Sequence, residues 1–219
     1  MAIQAMTAAE RLRRSEVAGA VRERRAVAIL RRLPPDTVDR TVQALLAGGF
    51  RLIELTVDSD GVFEQLTRLR EDGRAIIGAG TIRRAAEVEL AVEAGAQFLV
   101  APTYQPSVVE RALELGVPVV PGAFTATEID TAWQQGATFV KLFPGAAVGP
   151  AYLRAVLAPL RDVEIVVTGG VDATTARSFL DAGAVAVGVS TAQLRGPATA
   201  EADHTPSPAA VRDLLAAVA

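Results

Sequence analysis

A single lysine marks the position of greatest chemical interest in this chain. Lys141 is the only lysine, and every other basic side chain is arginine. It lies in the segment Thr138-Phe-Val-Lys-Leu-Phe-Pro144, whose apolar, β-branched and aromatic residues predict a buried strand. Burial lowers the pKa of an ammonium group, and a neutral amine can form a Schiff base with a carbonyl substrate. The alternative at this position is a structural ion pair with a carboxylate.

Glu54 is the carboxylate that could work with this amine. It lies in Leu52-Ile-Glu-Leu-Thr56, a segment whose apolar character again predicts a strand. If Glu54 faces the same cavity as Lys141, burial raises its pKa and suits it to general acid–base chemistry. The alternative is that Glu54 neutralises Lys141 in a structural pair.

Further polar residues and glycines follow other predicted strands. Thr168-Gly-Gly170 and Gly188-Val-Ser-Thr191 follow the last two, where glycines let backbone N–H groups approach a phosphate. Arg31 follows the first strand and could bind a substrate carboxylate, although its neighbour Arg32 is equally consistent with a solvated basic turn. Thr81 ends a third such turn, Gly78-Ala-Gly-Thr81.

Composition narrows the classes of function. The formal net charge of −3 argues against general nucleic-acid binding. There is no cysteine, and the one histidine, His204, lies in a polar Pro- and Ala-rich stretch, so a zinc site built from these ligands is not expected. We expect no metal and no cofactor. No apolar run is long enough to cross a bilayer and no secretory signal is visible, so we expect no membrane partner and a cytoplasmic location.

The elements that position these residues alternate between short apolar strands and helical segments. Eight strands joined by helices predict an α/β fold, a (β/α)8 TIM barrel, and polar residues at the carboxyl ends of its strands would share one face. The predicted strands are Ala26–Leu30, Leu52–Val57, Ala75–Gly78, Phe98–Ala101, Val117–Pro121, Phe139–Phe143, Glu164–Val167 and Val185–Val187. The predicted helices between them are Pro35–Ala47, Val62–Glu71, Ala85–Ala94, Pro106–Leu115, Ala126–Gln135, Pro150–Ala158 and Ala173–Ala182.

The two ends of the chain carry features beyond this alternation. Residues 7–24 predict an extra amphipathic N-terminal helix that could close the amino-terminal face of the barrel. Residues 195–208 read as a linker before a last helix, Pro208–Val218. We therefore expect residues 1–219 to form a single domain.

Several sequence blocks, taken in order, carry a family resemblance. These are Ala28-Ile-Leu-Arg31, Ala47-Gly-Gly with Ile53-Glu-Leu-Thr56, Ile77-Gly-Ala-Gly-Thr81, Ala94-Gly-Ala-Gln-Phe-Leu-Val-Ala-Pro102, Val120-Pro-Gly122, Lys141-Leu-Phe-Pro-Gly145, Val167-Thr-Gly-Gly170 and Ala186-Val-Gly-Val189. Over roughly residues 26–192 the chain resembles the 2-keto-3-deoxy-6-phosphogluconate / 4-hydroxy-2-oxoglutarate aldolase family. Members of that family are lysine Schiff-base aldolases on a (β/α)8 barrel and are typically homotrimers.

The resemblance implies a role for each matching residue. Lys141 would be the Schiff-base lysine and Glu54 the carboxylate that transfers protons. The substrate-binding set would be Arg31 and Thr81 for the carboxylate, Pro102 and Phe143 for the pocket wall, and Thr168, Gly169, Gly170, Gly188 and Ser190 or Thr191 around the phosphate.

Three positions depart from the family pattern. Asp58 stands where many members have an arginine, Ala101 where serine is usual, and Ala146 where an acidic residue is common. These departures bear on the substrate rather than on the Schiff-base chemistry.

The expected function is reversible aldol cleavage of a 2-keto-3-deoxy-6-phospho sugar acid, or of 4-hydroxy-2-oxoglutarate, to pyruvate and an aldehyde. Two alternatives stay open at this point. One is another TIM-barrel enzyme in which Lys141 contacts a phosphate without covalent chemistry. The other is a paralogue that binds ligand without turnover.

Overall fold

Parallel strands and helices alternate along the chain in the computed structural model, which describes residues 7–195 and 205–219. The strands are Ala26–Leu30 (β1), Leu52–Thr56 (β2), Ile76–Gly80 (β3), Phe98–Val100 (β4), Val119–Val120 (β5), Gly122–Ala123 (β6), Val140–Leu142 (β7), Ile165–Thr168 (β8) and Ala186–Ser190 (β9). The helices are Ala8–Arg24 (α1), Pro35–Gly48 (α2), Val62–Asp72 (α3), Ala85–Glu93 (α4), Pro106–Glu114 (α5), Ala126–Gln134 (α6), Gly149–Leu157 (α7), Ala176–Asp181 (α8) and Pro208–Val218 (α9).

The strands form a barrel that closes through Pro121. Their order is β5-β4-β3-β2-β1-β9-β8-β7-β6, and only Pro121 separates β5 from β6. Proline has no N–H for the ladder, so the regular strand pattern breaks there. The proline carbonyl still accepts a hydrogen bond from the Lys141 N–H at 2.9 Å. The predicted eight-stranded barrel is thus confirmed as a fold, with its fifth strand in two pieces.

Side chains alternate between the inside of the barrel and the layer beneath the helices. One buried cluster holds the inward residues, and another holds their outward neighbours with the apolar faces of the helices. The inward cluster is Val27, Leu52, Phe98, Val100, Val120, Phe139, Val166 and Ala186, joined by Val17, Ala18 and Val21 of α1.

Helix α1 closes the amino-terminal end of the barrel, as its amphipathic pattern predicted. Its buried residues Val17, Ala18 and Val21 pack against the inward strand residues. Arg22 fastens the helix from the side, with Nε and Nη2 donating to the two oxygens of Glu164 at 2.7 and 2.6 Å. The same guanidinium lies 5.3 Å from the ring centroid of Phe139. The floor of the barrel is therefore a packed apolar layer.

Some predicted boundaries were wrong for local reasons. Helix α8 begins at Ala176 rather than Ala173, because the Asp172 carboxylate accepts hydrogen bonds from the N–H groups of Thr174 and Thr175 and holds these residues in a turn. Strand β3 continues to Gly80, beyond the predicted end at Gly78, since pairing with β2 overrides the weak strand preference of glycine.

Other predictions concern the chain ends. Helix α9 spans Pro208–Val218 as predicted, whereas most of the linker 195–208, including His204, lies outside the described residues. Within the described ranges, no helix is both long and apolar enough to cross a membrane.

Candidate active site

Glu54 and Lys141 are buried ionisable side chains on the inward face of the barrel. Glu54 on β2 is 3% exposed, and Lys141 on β7 is 8% exposed. Glu54 lies opposite Gly78 of β3, and Lys141 lies opposite Gly122 of β6. Both neighbouring strands thus present a glycine on the inward face, where the Phe98 ring packs against Gly78 and the Pro102 backbone packs against Gly122.

Burial shifts both groups toward their neutral forms. Desolvation raises the pKa of Glu54, against the opposing charges of Lys141 and Arg31. Desolvation likewise lowers the pKa of Lys141; the Glu54 charge opposes that shift and the Arg31 charge adds to it. An uncharged amine is a nucleophile, and a protonated carboxylic acid is a proton donor. These shifts therefore favour a nucleophile and a proton donor in the same site.

The two groups line a small, partly enclosed cavity inside the barrel. Its volume of about 30 Å³ is enough to hold a water molecule. Apart from Glu54, Lys141 and Thr168, its walls are apolar, and Val21 of α1 forms part of its floor. The lining residues are Val21, Val27, Glu54, Phe98, Val100, Val120, Phe139, Lys141, Val166, Thr168 and Gly188.

Gly80 fixes the position of Glu54, a feature that the sequence analysis missed. A Cβ atom at Gly80 would overlap the Glu54 carboxylate. The carboxylate therefore lies directly against the backbone of β3. The Gly-Ala-Gly spacing on an inward-facing strand was the available signal, but the sequence analysis places these glycines only in the turn ending at Thr81.

Phe143 separates the inner cavity from a wider opening at the carboxyl ends of the strands. The Lys141 Nζ lies 4.9 Å from the centroid of the Phe143 ring. The same ring lines an outer cavity of about 430 Å³, a size suited to a small ligand. The other residues of that cavity are Pro102, Thr103, Tyr104, Gly122, Ala123, Phe124, Glu128 and Pro144.

Thr168 contributes a buried hydroxyl beside the catalytic pair. Its side chain lines the inner cavity, and its Oγ1 is buried and forms no hydrogen bond within the described residues. An unsatisfied buried hydroxyl is unfavourable unless a ligand or water supplies its partner. Thr168 thus offers one hydrogen bond to whatever enters beside Lys141.

Arg31 and Thr81 lie at the ends of strands on either side of β2. Arg31 is exposed, yet its charge acts on both Glu54 and Lys141. Thr81 has a φ of +64°, which is rare for a β-branched residue and is found where the surrounding structure imposes it. The Ile82 N–H donates to Val100 O at 3.1 Å and anchors the residue that follows. Both predicted carboxylate ligands therefore lie on the active face.

The glycine turn after β8 packs against the loop after β7. Gly169 and Gly170 have φ values of +87° and +77°, which suit glycine, and a Cβ at Gly169 would press on the Phe143 ring. Gly169 O accepts a hydrogen bond from the Ala146 N–H at 3.0 Å, and a Cβ at Gly170 would contact the Ala146 methyl. An acidic side chain in place of Ala146 would thus stand beside this turn.

The turn after β9 separates its two candidate hydroxyls. Thr191 is almost fully buried, whereas Ser190 is half-buried and its Oγ accepts a hydrogen bond from the Ala192 N–H at 3.3 Å. Gly188 lies under the Thr168 methyl, where a Cβ would clash. Of the two hydroxyls, Ser190 is the accessible one.

The departure at Ala101 lies away from the cavities. Ala101 is fully buried in the outward cluster, between the inward-facing neighbours Val100 and Pro102. It is therefore a packing residue of the strand–helix layer. Among the described residues, no three histidine, aspartate or glutamate side chains cluster as a metal site would require.

Comparison with known proteins agrees with this arrangement. A family model described as "KDPG and KHG aldolase" matches residues 17–204. The chain is 34% identical to the 2-dehydro-3-deoxy-6-phosphogalactonate aldolase of Escherichia coli K12, over 74% of this chain and 81% of that one. It is 35% identical to a 2-dehydro-3-deoxy-phosphogluconate aldolase of Treponema pallidum, over 65% of this chain and 71% of the relative.

A solved structure described as "Native KDPGal structure" superposes with a TM-score of 0.79 at 30% identity, covering 88% of this chain and 93% of the other. The order of the barrel strands, the buried lysine–glutamate pair and these matches lead to one assignment. The chain belongs to the KDPG and KHG aldolase family.

Proposed function

We propose that this protein catalyses the reversible aldol cleavage of a 2-keto-3-deoxy sugar acid phosphorylated at C6, giving pyruvate and an aldehyde such as glyceraldehyde 3-phosphate. The observation that carries the proposal is the only lysine of the chain, buried beside Glu54, with its pKa lowered chiefly by desolvation. The names of the relatives, all aldolases, support the reaction class.

The first half of the reaction forms the imine. The neutral Lys141 amine attacks the C2 carbonyl and gives a carbinolamine. Glu54, whose raised pKa favours its protonated form, donates a proton to the departing C2 hydroxyl. Water leaves, and the protonated imine remains on Lys141 with Glu54 as a carboxylate.

The second half breaks the C3–C4 bond. The Glu54 carboxylate, directly or through water, takes the proton of the C4 hydroxyl as the C3–C4 electrons move into the iminium. The aldehyde leaves, and the resulting enamine is protonated at C3. Water then hydrolyses the imine, which releases pyruvate and regenerates the amine. The iminium is the electron sink for cleavage.

The remaining site residues bind the two ends of the substrate. Arg31 and Thr81 would hold the carboxylate of the pyruvyl part, and Pro102 with Phe143 would form the wall of the outer cavity. Backbone N–H groups at Gly169 and Gly170, with the Ser190 hydroxyl, would bind the phosphate. Gly188 was wrongly predicted to lie in a turn; it lies within β9, paired with Val27 of β1 and Thr168 of β8. Thr191 is a weaker candidate for this role because it is buried.

Thr168 is proposed to contact the substrate hydroxyl next to the bond that breaks. Thr168 lines the inner cavity with Lys141 and Glu54, and its buried Oγ1 forms no hydrogen bond within the described residues. A hydrogen bond from this oxygen would distinguish the two C4 epimers, because only one of them places its hydroxyl within reach. Cleavage rates measured with the two C4 epimers would show which hydroxyl Thr168 reaches.

Borohydride reduction in the presence of pyruvate tests the central claim. Reduction of the imine should leave a stable adduct on the peptide that contains Lys141, detectable by mass spectrometry. Because the chain has no other lysine, only the terminal amine needs to be excluded. Lys141→Met is the control and should give no internal adduct.

The possible outcomes separate the alternatives. Failure to trap Lys141 in a folded protein would exclude the Schiff-base mechanism and favour a non-covalent barrel enzyme. An adduct without measurable cleavage of either C4 epimer would favour a ligand-binding paralogue. Cleavage with trapping supports the aldolase.

Assembly and location are part of the same proposal. We propose a homotrimer in the cytoplasm, as the family resemblance implies. Phe124, which lines the outer cavity and is 39% exposed, is an apolar surface residue that a neighbouring subunit would cover. Sedimentation should give a mass of three 22.8 kDa chains, and a monomer at micromolar concentration would contradict the trimer.

A further inference from the structure

Asp58 joins two arginines at the rim of the barrel. It follows β2, and its Oδ2 accepts hydrogen bonds from Arg31 Nη2 at 3.3 Å and from Arg32 Nε at 2.9 Å. Its other oxygen, Oδ1, is buried and has no hydrogen bond within the described residues. Burial raises the pKa of Asp58, but the Thr56 hydroxyl and the two arginines outweigh it and hold the pKa below its ordinary value. The group is therefore a carboxylate at neutral pH.

The backbone around this contact is fixed by further hydrogen bonds. The Arg32 N–H donates to Ser59 Oγ at 2.9 Å, and the Ser59 N–H donates to Thr56 O at 3.0 Å. Arg32 has a φ of +50°, an unusual conformation for a long side chain. The turn after β1 is thus held to the turn after β2 by a hydrogen bond from the Arg32 main chain to the Ser59 side chain. The arginine–aspartate contact is part of this connection rather than a chance surface pair.

Arg31 connects this rim to the reacting groups. Its charge acts on both members of the pair: it lowers the pKa of Lys141 and opposes the rise in the pKa of Glu54. Among the described residues, Arg31 is the arginine whose charge shifts these two groups. The position of its guanidinium, which Asp58 binds, therefore matters for the charge balance of the pair.

We propose that Asp58 is a positioning residue, which holds the guanidinium of Arg31 at the entrance of the catalytic cavity so that the substrate carboxylate meets a preorganised cation. The inference rests on the proposed function for the identity of the ligand. Arg31 has a long, exposed side chain whose ion-pair partner among the described residues is Asp58, and Arg32 binds the same Asp58 oxygen. If a long side chain is already fixed before binding, less side-chain conformational entropy is lost when the ligand binds.

The test compares Asp58→Asn with a matched control, Asp39→Asn. Asp39 forms an exposed pair with Arg68, so its replacement changes the net charge equally and also removes one arginine partner. Asp58→Asn should raise KM for the keto acid roughly tenfold while kcat changes far less, since binding of the carboxylate is what weakens. Asp39→Asn should leave both constants unchanged.

A second readout is independent of turnover. Incorporation of 13C-labelled lysine gives one side-chain resonance, because Lys141 is the only lysine. If Asp58→Asn releases Arg31 toward solvent, the lysine loses a neighbouring positive charge and its titration midpoint should move upward. In an Arg31→Gln background the Asp58 substitution should have no further effect on this midpoint.

The contrary results are distinct from one another. The positioning role would be overturned if Asp58→Asn left both KM and the lysine titration midpoint unchanged or lowered them. A lowered KM would show that Asp58 competes with the substrate carboxylate for Arg31. An effect that persists without Arg31 would also overturn it. Absence of a pyruvate adduct in the unmodified protein refutes the aldolase instead, and the lysine titration still decides the relation between Asp58 and Arg31.

Discussion

Lys141 and Glu54 illustrate how a few atoms of surrounding structure decide the chemistry of a side chain. The same lysine at the surface would be protonated at neutral pH. Here the apolar lining of a cavity of about 30 Å³ and the Arg31 charge both favour its neutral form, and only Glu54 opposes them.

The pH dependence of imine formation follows from these shifts. The protonated amine is unreactive and Glu54 must carry the proton that it donates, so the rate of trapping with pyruvate should rise with pH and then fall, and the midpoint of its rising limb should report the lowered pKa of Lys141. That midpoint should lie below the ordinary lysine value of about 10.4. Initial rates of borohydride-dependent labelling across pH would measure it. A midpoint at or above the ordinary value would show that the amine is not desolvated in solution.

Gly80 provides a steric test of the Glu54 position. Gly80→Ala should displace the carboxylate, because the added methyl would occupy its place, and kcat should fall by about 10²-fold or more, as expected when general acid–base catalysis is impaired. Steady-state kinetics on a folded variant would check this.

Gly19→Ala is the matched control. Gly19 lies within α1 with nothing near its Cβ position, so this change should leave kcat intact and stabilise the fold by roughly 0.5–1 kcal/mol. Equal kinetics for the Gly80 variant and the unmodified protein would show that Glu54 can move without loss of function.

At the level of elements, α1 serves the site by closing the floor of the barrel. Val21 belongs both to the helix and to the wall of the inner cavity, so the dryness of the lysine environment depends on a helix outside the β/α repeat. The sequence predicted that this helix would close the barrel but gave no reason to expect a direct part in the cavity wall. Amphipathicity indicates which residues of a helix are buried, not what they are buried against.

Val21→Ala tests this connection. Loss of two methyl groups should destabilise the fold by roughly 1–2 kcal/mol and enlarge the cavity beside Lys141, which raises the titration midpoint of the lysine by admitting water. Denaturant unfolding and the single lysine resonance would report the two effects.

Val211→Ala serves as the comparison. Val211 is fully buried in α9, in the outer layer, so its truncation should lower stability by a similar amount without moving the lysine midpoint. Equal midpoint shifts in the two variants would show that the pKa of Lys141 depends on the overall stability of the fold rather than on packing at the floor of the cavity.

At the scale of the whole molecule, the sequence predicted the architecture better than the contacts within the site. The order of strands and helices follows from hydrophobic period and glycine stops, which are local signals. The split of the fifth strand at Pro121 and the pairing of Asp58 with Arg31 arise only when distant segments meet. From the sequence, Asp58 is only a departure from the family pattern, and its two arginine partners could not be read from the chain alone.

Because Lys141 is buried within a paired strand, cleavage of the chain at this residue can report unfolding of the barrel. Its N–H is bonded to Pro121 O, and its neighbours Val140 and Leu142 pack in the outer layer. A lysine-specific endopeptidase has a single cleavage site in this chain, after residue 141. That bond should resist digestion until the barrel unravels and then yield two fragments at once. The rate at which the fragments appear would measure how often the protein unfolds globally. Rapid cleavage of the folded protein would instead show that β7 unfolds locally.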